Sequence, residues 1–217
     1  MTEIVAELSG NHGGSLNNAL RLIIEAKAAG ADAVKFQCFH PARLAARRAK
    51  NPQVLALAKD FHGEESLLNL YRKTYTPRQW FPDMIARAYR DSIPWFSSVF
   101  DPDDVAFLET LDCPRYKISA FEMLDGDLIN AVVATGKPIV MSMRPRQGVT
   151  LLIANNYDGN PEYFGLSDHS PDHTSERCNE LCPMVERHIR LPDVDTPDRD
   201  FSLTPDQFRE YVATIRG

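Results

Sequence analysis

Short apolar runs alternating with helix-period stretches dominate this chain. Runs of strand length, bounded by turn residues, fall at 4–8, 33–38, 95–100, 115–120, 138–143, 149–155, 163–168 and 184–191. Helical patterns separate most of them, at 16–29, 64–73 with 77–90, 102–111, 124–135, 174–181 and 205–215. Ser15, Asp101 and Thr204 stand where N-caps belong. Strand–helix alternation predicts a parallel sheet, and eight strands is the number of a closed barrel. The expected fold is an α/β, TIM-type (β/α)8 barrel forming a single domain over residues 1–217, but an incomplete one. Only residues 144–148 separate the fifth and sixth runs, and 157–162 the sixth and seventh. A parallel crossover takes roughly a dozen residues. The helices after strands five and six are therefore expected to be missing, with strand six antiparallel or the barrel open there. The outer faces of Ile139–Met141 and Leu151–Ile153 would then lie bare, favouring a homodimer or another association through these strands.

The 43% apolar content of 217 residues suffices for one sizeable core. A net charge of -6, from 24 basic and 30 acidic residues, gives no general attraction to nucleic acid or anionic membrane. Any anion site must be local. No apolar run approaches the ~18 residues of a membrane span and no signal sequence precedes the first strand, so a cytoplasmic location is expected. Cys38, Cys113, Cys178 and Cys182 are too few and too scattered for a disulfide framework and read as reduced thiols. The basic cluster from Arg43 to Lys50 reads as a solvated helix face.

In a parallel barrel the reactive groups stand where strands end. Glu7 lies at the end of the first strand, Asn11 and His12 follow it and Lys35 lies on the second, so all four are expected to share one mouth. Lys117 and Ser119 alternate on the fourth strand, with Glu122 at its end. Two lysines converging there would make a phosphate or carboxylate site, and Ser97 and Ser98 could add hydroxyl donors. His169 closes strand seven and His188, 19 residues on, lies on strand eight beside Glu186. With Asp168 and Asp198 near, the pair can hold one divalent ion and leave positions open for water and substrate. A rival ligand set, His169, His173, Cys178 and Cys182, has zinc-type residues in a spacing that fits no common finger.

Six ordered motifs carry a family resemblance: Glu7-Leu-Ser-Gly-Asn-His-Gly-Gly-Ser, Gly30-Ala-Asp-Ala-Val-Lys-Phe-Gln, Tyr116-Lys-Ile-Ser-Ala-Phe-Glu, Thr135-Gly-Lys-Pro-Ile-Val-Met-Ser, Gly165-Leu-Ser-Asp-His-Ser and Glu186-Arg-His. Together they resemble the sialic acid synthase family nearly end to end. Tyr71–Trp80 and Pro197–Leu203 look most like its pseudaminic acid synthase branch. The resemblance implies condensation of phosphoenolpyruvate with an N-acylated amino sugar, of the mannosamine or 2,4-diacetamido-trideoxy type, to a nine-carbon 2-keto sugar acid and phosphate. It implies a divalent metal, Mn2+ or Mg2+, on His169 and His188. Lys35, Ser98, Lys117, Asn156 and Ser167 match positions that hold the phosphate and carboxylate of phosphoenolpyruvate. Glu122 would stand near the oxocarbenium carbon and the incoming water, and Glu7 and Asp198 would bond the sugar hydroxyls.

The chain also departs from the family. Lys117-Ile-Ser-Ala shifts a hydroxyl by one position, Met141-Ser-Met lacks the usual Thr-Gly, and the small C-terminal antifreeze-like domain has no counterpart in these 217 residues. Two readings follow: a working synthase, or a shortened non-catalytic relative that binds metal or phosphoenolpyruvate or acts as a partner protein. A third, a metal-dependent aldolase or deoxy-sugar-acid synthase, explains a barrel but not the Asn11-His12-Gly13 and Ser167-Asp168-His169 motifs.

Overall fold

The computed structural model describes residues 1–50, 66–142, 165–170 and 182–217, together with the backbone of 151–155. Eight strands close into a barrel in chain order: β1 (Glu3–Glu7), β2 (Ala33–Cys38), β3 (Trp95–Val99), β4 (Tyr116–Ile118), β5 (Ile139–Ser142), β6 (Leu151–Asn155), β7 (Gly165–Asp168) and β8 (Met184–His188). Every pairing is parallel, including β5–β6, β6–β7 and the closing pair β1–β8. Strand six is thus not antiparallel, and the barrel is not open. Chain reach gives the reason: nine peptide units from Ser142 to Leu151 can extend about 30 Å, twice the roughly 16 Å rise of a five-residue strand. A return to the starting end does not require a helix. The connections 143–150 and 156–164, and with them the expected loss of helices there, lie outside the described residues, as does the expected helix at 174–181.

The described helices are α1 (Leu16–Ala28), α2 (Pro41–Arg48), α3 (Leu67–Thr74), α4 (Phe81–Arg90), α5 (Pro102–Glu109), α6 (Gly126–Ala134) and α7 (Pro205–Arg216). Their starts follow capping chemistry. The Ser15 hydroxyl accepts from Asn18 N, Asp101 and Asp104 form a capping box, and so do Thr204 and Gln207. α1 buries Ala19, Leu22, Ile23 and Ala26, spaced as one helical face. These side chains join the outward residues of the strands, such as Ile4, Phe36, Tyr116 and Ile139, in one continuous core between barrel and helices.

The expected bare patch on β5 is absent. Ile139 and Met141 are 2% and 1% exposed and belong to the same core as Leu128 and Val132 of α6. A right-handed crossover lays the helix between β4 and β5 over both strands, so the outer face of β5 is covered by the helix that precedes it.

Strand alternation sends the other residues inward in layers. At the N-terminal end Arg115 pairs with both carboxylate oxygens of Glu3 at 2.8 and 2.7 Å, and its guanidinium lies 3.9 Å from the centre of the Phe96 ring. Above this stopper Val5, Ala33, Phe96, Val140 and Met184 fill the barrel. The next layer, toward the strand C-termini, is charged.

Candidate active site

Glu7, Lys35, Ser98, Lys117, Ser167 and Glu186 are all buried, each two residues beyond a member of the apolar layer or in register with one that is. Glu186 is the hub. Its carboxylate lies 2.8 Å from Lys35 Nζ and accepts from Lys117 Nζ at 3.0 and 3.2 Å and from Ser167 Oγ at 3.0 Å. Lys35 Nζ is also 2.5 Å from Glu7 Oε2, while Ser9 N donates to Glu7 Oε1 at 2.7 Å. The layer is internally neutral, two ammonium groups against two carboxylates. Burial, the largest influence, pulls the Lys35 ammonium down to about 7, with Lys117 adding to the fall and Glu186 opposing it. The two lysines hold the Glu186 carboxyl far below the usual range against its burial. Each ammonium spends two contacts on carboxylates and keeps one N–H for a further acceptor. Ser167, by contrast, has given its only proton to Glu186.

At the rim stand His169 and His188, ring centres 5.2 Å apart, with Phe201 against both at 5.5 and 4.9 Å. The His169 Nδ1–H donates to the Ser167 carbonyl at 3.1 Å, which leaves Nε2 as a lone-pair nitrogen. His188 Nδ1 is buried without a hydrogen-bond partner, 3.6 Å from Asp198 Oδ2. Burial lowers His169 to about 4 and His188 well below its usual range, His169 and Lys35 adding to the latter, so both rings are neutral near pH 7. Asp198 accepts from Ser9 Oγ, which in turn accepts from Gln37 Nε2. Ser9 adopts φ 45°, an unusual backbone for a residue with a side chain. Gln37 and Phe201 carry no functional signal in the sequence, and Glu186 reads there only as an acidic neighbour of the histidine pair. The spacing Glu186-x-His188 puts both on one strand face and is the signal that could have found the hub.

Other expected residues go elsewhere. Asn11 does not reach the mouth: its Nδ2 donates to the Ile189 carbonyl and to Ser202, and its Oδ1 accepts from Thr196, tying the loop after β1 to the loop after β8. His12 is likewise committed elsewhere, Nδ1 accepting from Gly14 N at 3.0 Å within the loop and Nε2–H facing Thr76 Oγ1, just after α3, at 3.2 Å. Ser97 points outward to backbone carbonyls, leaving Ser98 as the interior hydroxyl. Glu122 lies in a separate cluster, held by Arg48 Nε at 2.8 Å and by the Ser119 hydroxyl. The basic cluster is helix α2, but not a merely solvated face: Arg43 pairs with Asp101, Asp103 and Asp104, Arg47 with Asp125, and Arg48 with Glu122. Asn156, His173 and Cys178 lie outside the described residues. The rival zinc set fails on topology. Buried Cys182 precedes the first residue of β8 and bonds the Met184 carbonyl, whereas His169 follows the last residue of β7. Parallel strands put them at opposite ends, more than roughly 10 Å of strand rise apart.

Glycines let the first loop pack. A Cβ at Gly10 would lie 2.6 Å from Thr74 Cβ and 2.8 Å from Thr74 Cα on α3, and one at Gly13, with φ +56°, would lie 2.7 Å from Val194. Gly10→Ala should destabilise the protein by about 1–3 kcal/mol as α3 is pushed off the loop. Urea unfolding measures this, and an unchanged midpoint would refute the contact.

The buried histidines also fix an acid response. His12 and His169 titrate near 4 when folded and near 6.5 when unfolded, so the unfolded chain binds more protons between these values. Stability from these groups is full above about pH 6.5 and lost as the pH falls toward 4. In chelator, the urea midpoint should be lower at pH 5 than at pH 7. Equal midpoints would mean that the rings are not held neutral by burial.

A closed parallel barrel with its charged and imidazole groups at the C-terminal ends of the strands is a (β/α)8-type barrel of the kind that carries enzyme sites on that face. The NeuB family profile matches residues 22–145. The chain is 31% identical to the pseudaminic acid synthase of Helicobacter pylori, over 99% of its own length and 73% of the relative's. With a pseudaminic acid synthase of Campylobacter jejuni the identity is 37%, over 98% and 72%. This chain belongs to the NeuB family. The crystal structure of an N-acetylneuraminic acid synthetase from Leptospira borgpetersenii, in complex with citrate, shares the fold, with a TM-score of 0.76 at 20% identity over 99% of this chain and 82% of that one. Among the described residues, no helix is long and apolar enough to cross a membrane.

Proposed function

We propose that this chain is a sugar acid synthase that condenses phosphoenolpyruvate with an N-acylated amino sugar of the mannosamine or 2,4-diacetamido-trideoxy type, giving a nine-carbon 2-keto sugar acid and phosphate. The observation that carries this reading is the meeting of Lys35 and Lys117 inside the barrel mouth, each with one N–H left to give. Ser98, in register with Lys117, adds a hydroxyl at the same level. These groups bind the phosphate and carboxylate of phosphoenolpyruvate, while Glu186 keeps the ammonium groups aimed. Asp198 at the rim, with Ser9 and Gln37, offers acceptors and donors for sugar hydroxyls. Glu7 belongs to the lysine layer and Glu122 to the Arg48 cluster, so a sugar-hydroxyl contact by Glu7 and a water role for Glu122 are exercised from those positions.

A divalent ion fits this chemistry. Among the described residues no group of three or more His, Cys, Asp or Glu is arranged to hold one, and the site read here rests on His169 and His188. They are two neutral imidazoles, one with its tautomer fixed by a backbone carbonyl and the other with an unpartnered buried nitrogen, as an open site completed by water and substrate requires. Such an ion, Mn2+ in preference to Mg2+ for nitrogen ligands, would polarise the sugar's aldehyde as a Lewis acid. The test is phosphate release from phosphoenolpyruvate with each candidate sugar, with and without Mn2+. Release that needs both substrates and the metal is expected. No release with any of these sugars would overturn the synthase reading in favour of a non-catalytic relative.

A further inference from the structure

We propose that Asp168, Ser170, Arg187 and Tyr211 form a positioning lock on the outer side of β7 and β8 that sets how His169 and His188 face each other. The inference rests on reading the two histidines as ligands of a divalent ion. Alternation places two of the four behind the site: on β8 Arg187 lies between Glu186 and His188, and on β7 Asp168 lies between Ser167 and His169. Asp168 and Arg187 are register partners on the two strands.

Arg187 is fully buried and heads the largest fully buried side chains. Its Nη1 donates to the Asp168 carbonyl at 3.0 Å, lies 3.0 Å from Asp168 Oδ1, and reaches Ser170 Oγ at 3.3 Å; Nη2 donates to the Ser170 carbonyl at 2.6 Å. Ser170 N and Oγ both donate to Asp168 Oδ1, at 2.9 and 2.6 Å. From α7 the Tyr211 hydroxyl donates to Asp168 Oδ2 at 2.9 Å, and its ring lies 5.5 Å from the guanidinium carbon. One guanidinium therefore holds the carbonyls on both sides of His169, while the His169 ring itself bonds the Ser167 carbonyl. Three peptide planes around a single histidine are fixed. Apolar side chains would join β7, β8 and α7 as firmly without the desolvation of an ion pair. They would not fix the rotation of those planes. Directional hydrogen bonds do so, and the planar fork of an arginine can hold two carbonyls at once where a lysine cannot.

Arg187→Met would leave Asp168 buried without its cation and strongly destabilise the barrel, so the test uses Tyr211→Phe and Ser170→Ala. Each removes one hydrogen bond to Asp168 and keeps the ion pair. Mn2+ affinity is measured by electron paramagnetic resonance alongside the melting midpoint. Groups that orient metal ligands typically contribute roughly 10- to 100-fold to affinity, and a loss in that range with little change in melting is expected. A lowered midpoint with Mn2+ affinity within twofold of the unmodified protein would overturn the lock and leave the metal reading standing. If the unmodified protein binds no Mn2+, the reading of the histidines falls and the lock falls with it.

Discussion

Lys117→Met is expected to lower synthase turnover and phosphoenolpyruvate affinity by roughly a hundredfold or more. Lys117 Nζ contacts both oxygens of Glu186 and retains one N–H for an incoming anion. Truncating one member of a buried, hydrogen-bonded charge pair costs about 2–5 kcal/mol, and each 1.4 kcal/mol is about tenfold in affinity. Two losses combine. The anion loses a charged donor, and Glu186 is left with Lys35 as its one remaining cation, so the pocket changes from neutral to negative. Calorimetry with phosphoenolpyruvate reads the first loss directly, and phosphate-release kinetics read the sum. Lys35→Met should behave alike, with the added release of Glu7. Unchanged affinity in both variants would remove these lysines from the anion site.

Glu186→Gln should be the most destabilising conservative change in the barrel, by about 3–5 kcal/mol, the usual result of taking one partner from a buried ionic cluster. The glutamine keeps the shape but withdraws the charge shared by Lys35 and Lys117, which already repel one another. For a chain of this size that corresponds to a fall of roughly 6–20 °C in melting temperature. The pH sign is fixed by the carboxyl's lowered titration. The unfolded chain takes up its proton first on acidification, so the wild-type contribution is full above the ordinary glutamate range and lost as pH falls through the lower folded value. The gap between wild type and Glu186→Gln should thus narrow in acid. Joint replacement of Glu186 and Lys117 by leucine and methionine should restore much of the stability and none of the activity. A melting temperature for Glu186→Gln within a degree or two of wild type would show that the lysines do not depend on this carboxylate.

Much of the fold is written in local periodicity, because strands and helices each need an apolar face toward one shared core. All eight strands fall where apolar runs of strand length occur, and the caps Ser15, Asp101 and Thr204 stand where serine, aspartate and threonine hydroxyl or carboxylate oxygens meet free helix N–H groups. The site was legible where alternation sends a polar side chain inward: Lys35 and Lys117 lie inside because their apolar neighbours claim the outer face, and His169 and His188 share the parity of Ser167 and Glu186 on their strands. Sequence also carried the family, through motifs whose order matches the relatives nearly end to end.

Pairing across space was not legible. Asn11 and His12 are as polar as any ligand, and only the fold commits them to the loops after β1 and β8. Arg43, Arg47 and Arg48 make one charged run in sequence, yet each finds its own carboxylate in the loops after β3 and β4. Glu186 is one acidic residue among 30 until closure of the barrel brings two lysines from β2 and β4 to it. The direction of β6 and the cover over β5 were likewise settled by closure, since ring geometry leaves one parallel slot between β5 and β7 and the helix before β5 spans its outer face. Sequence determines which face of an element each side chain takes. Only the tertiary structure decides which opposite charge it meets there, because long-range partners are set by the closing of the barrel and not by neighbours along the chain.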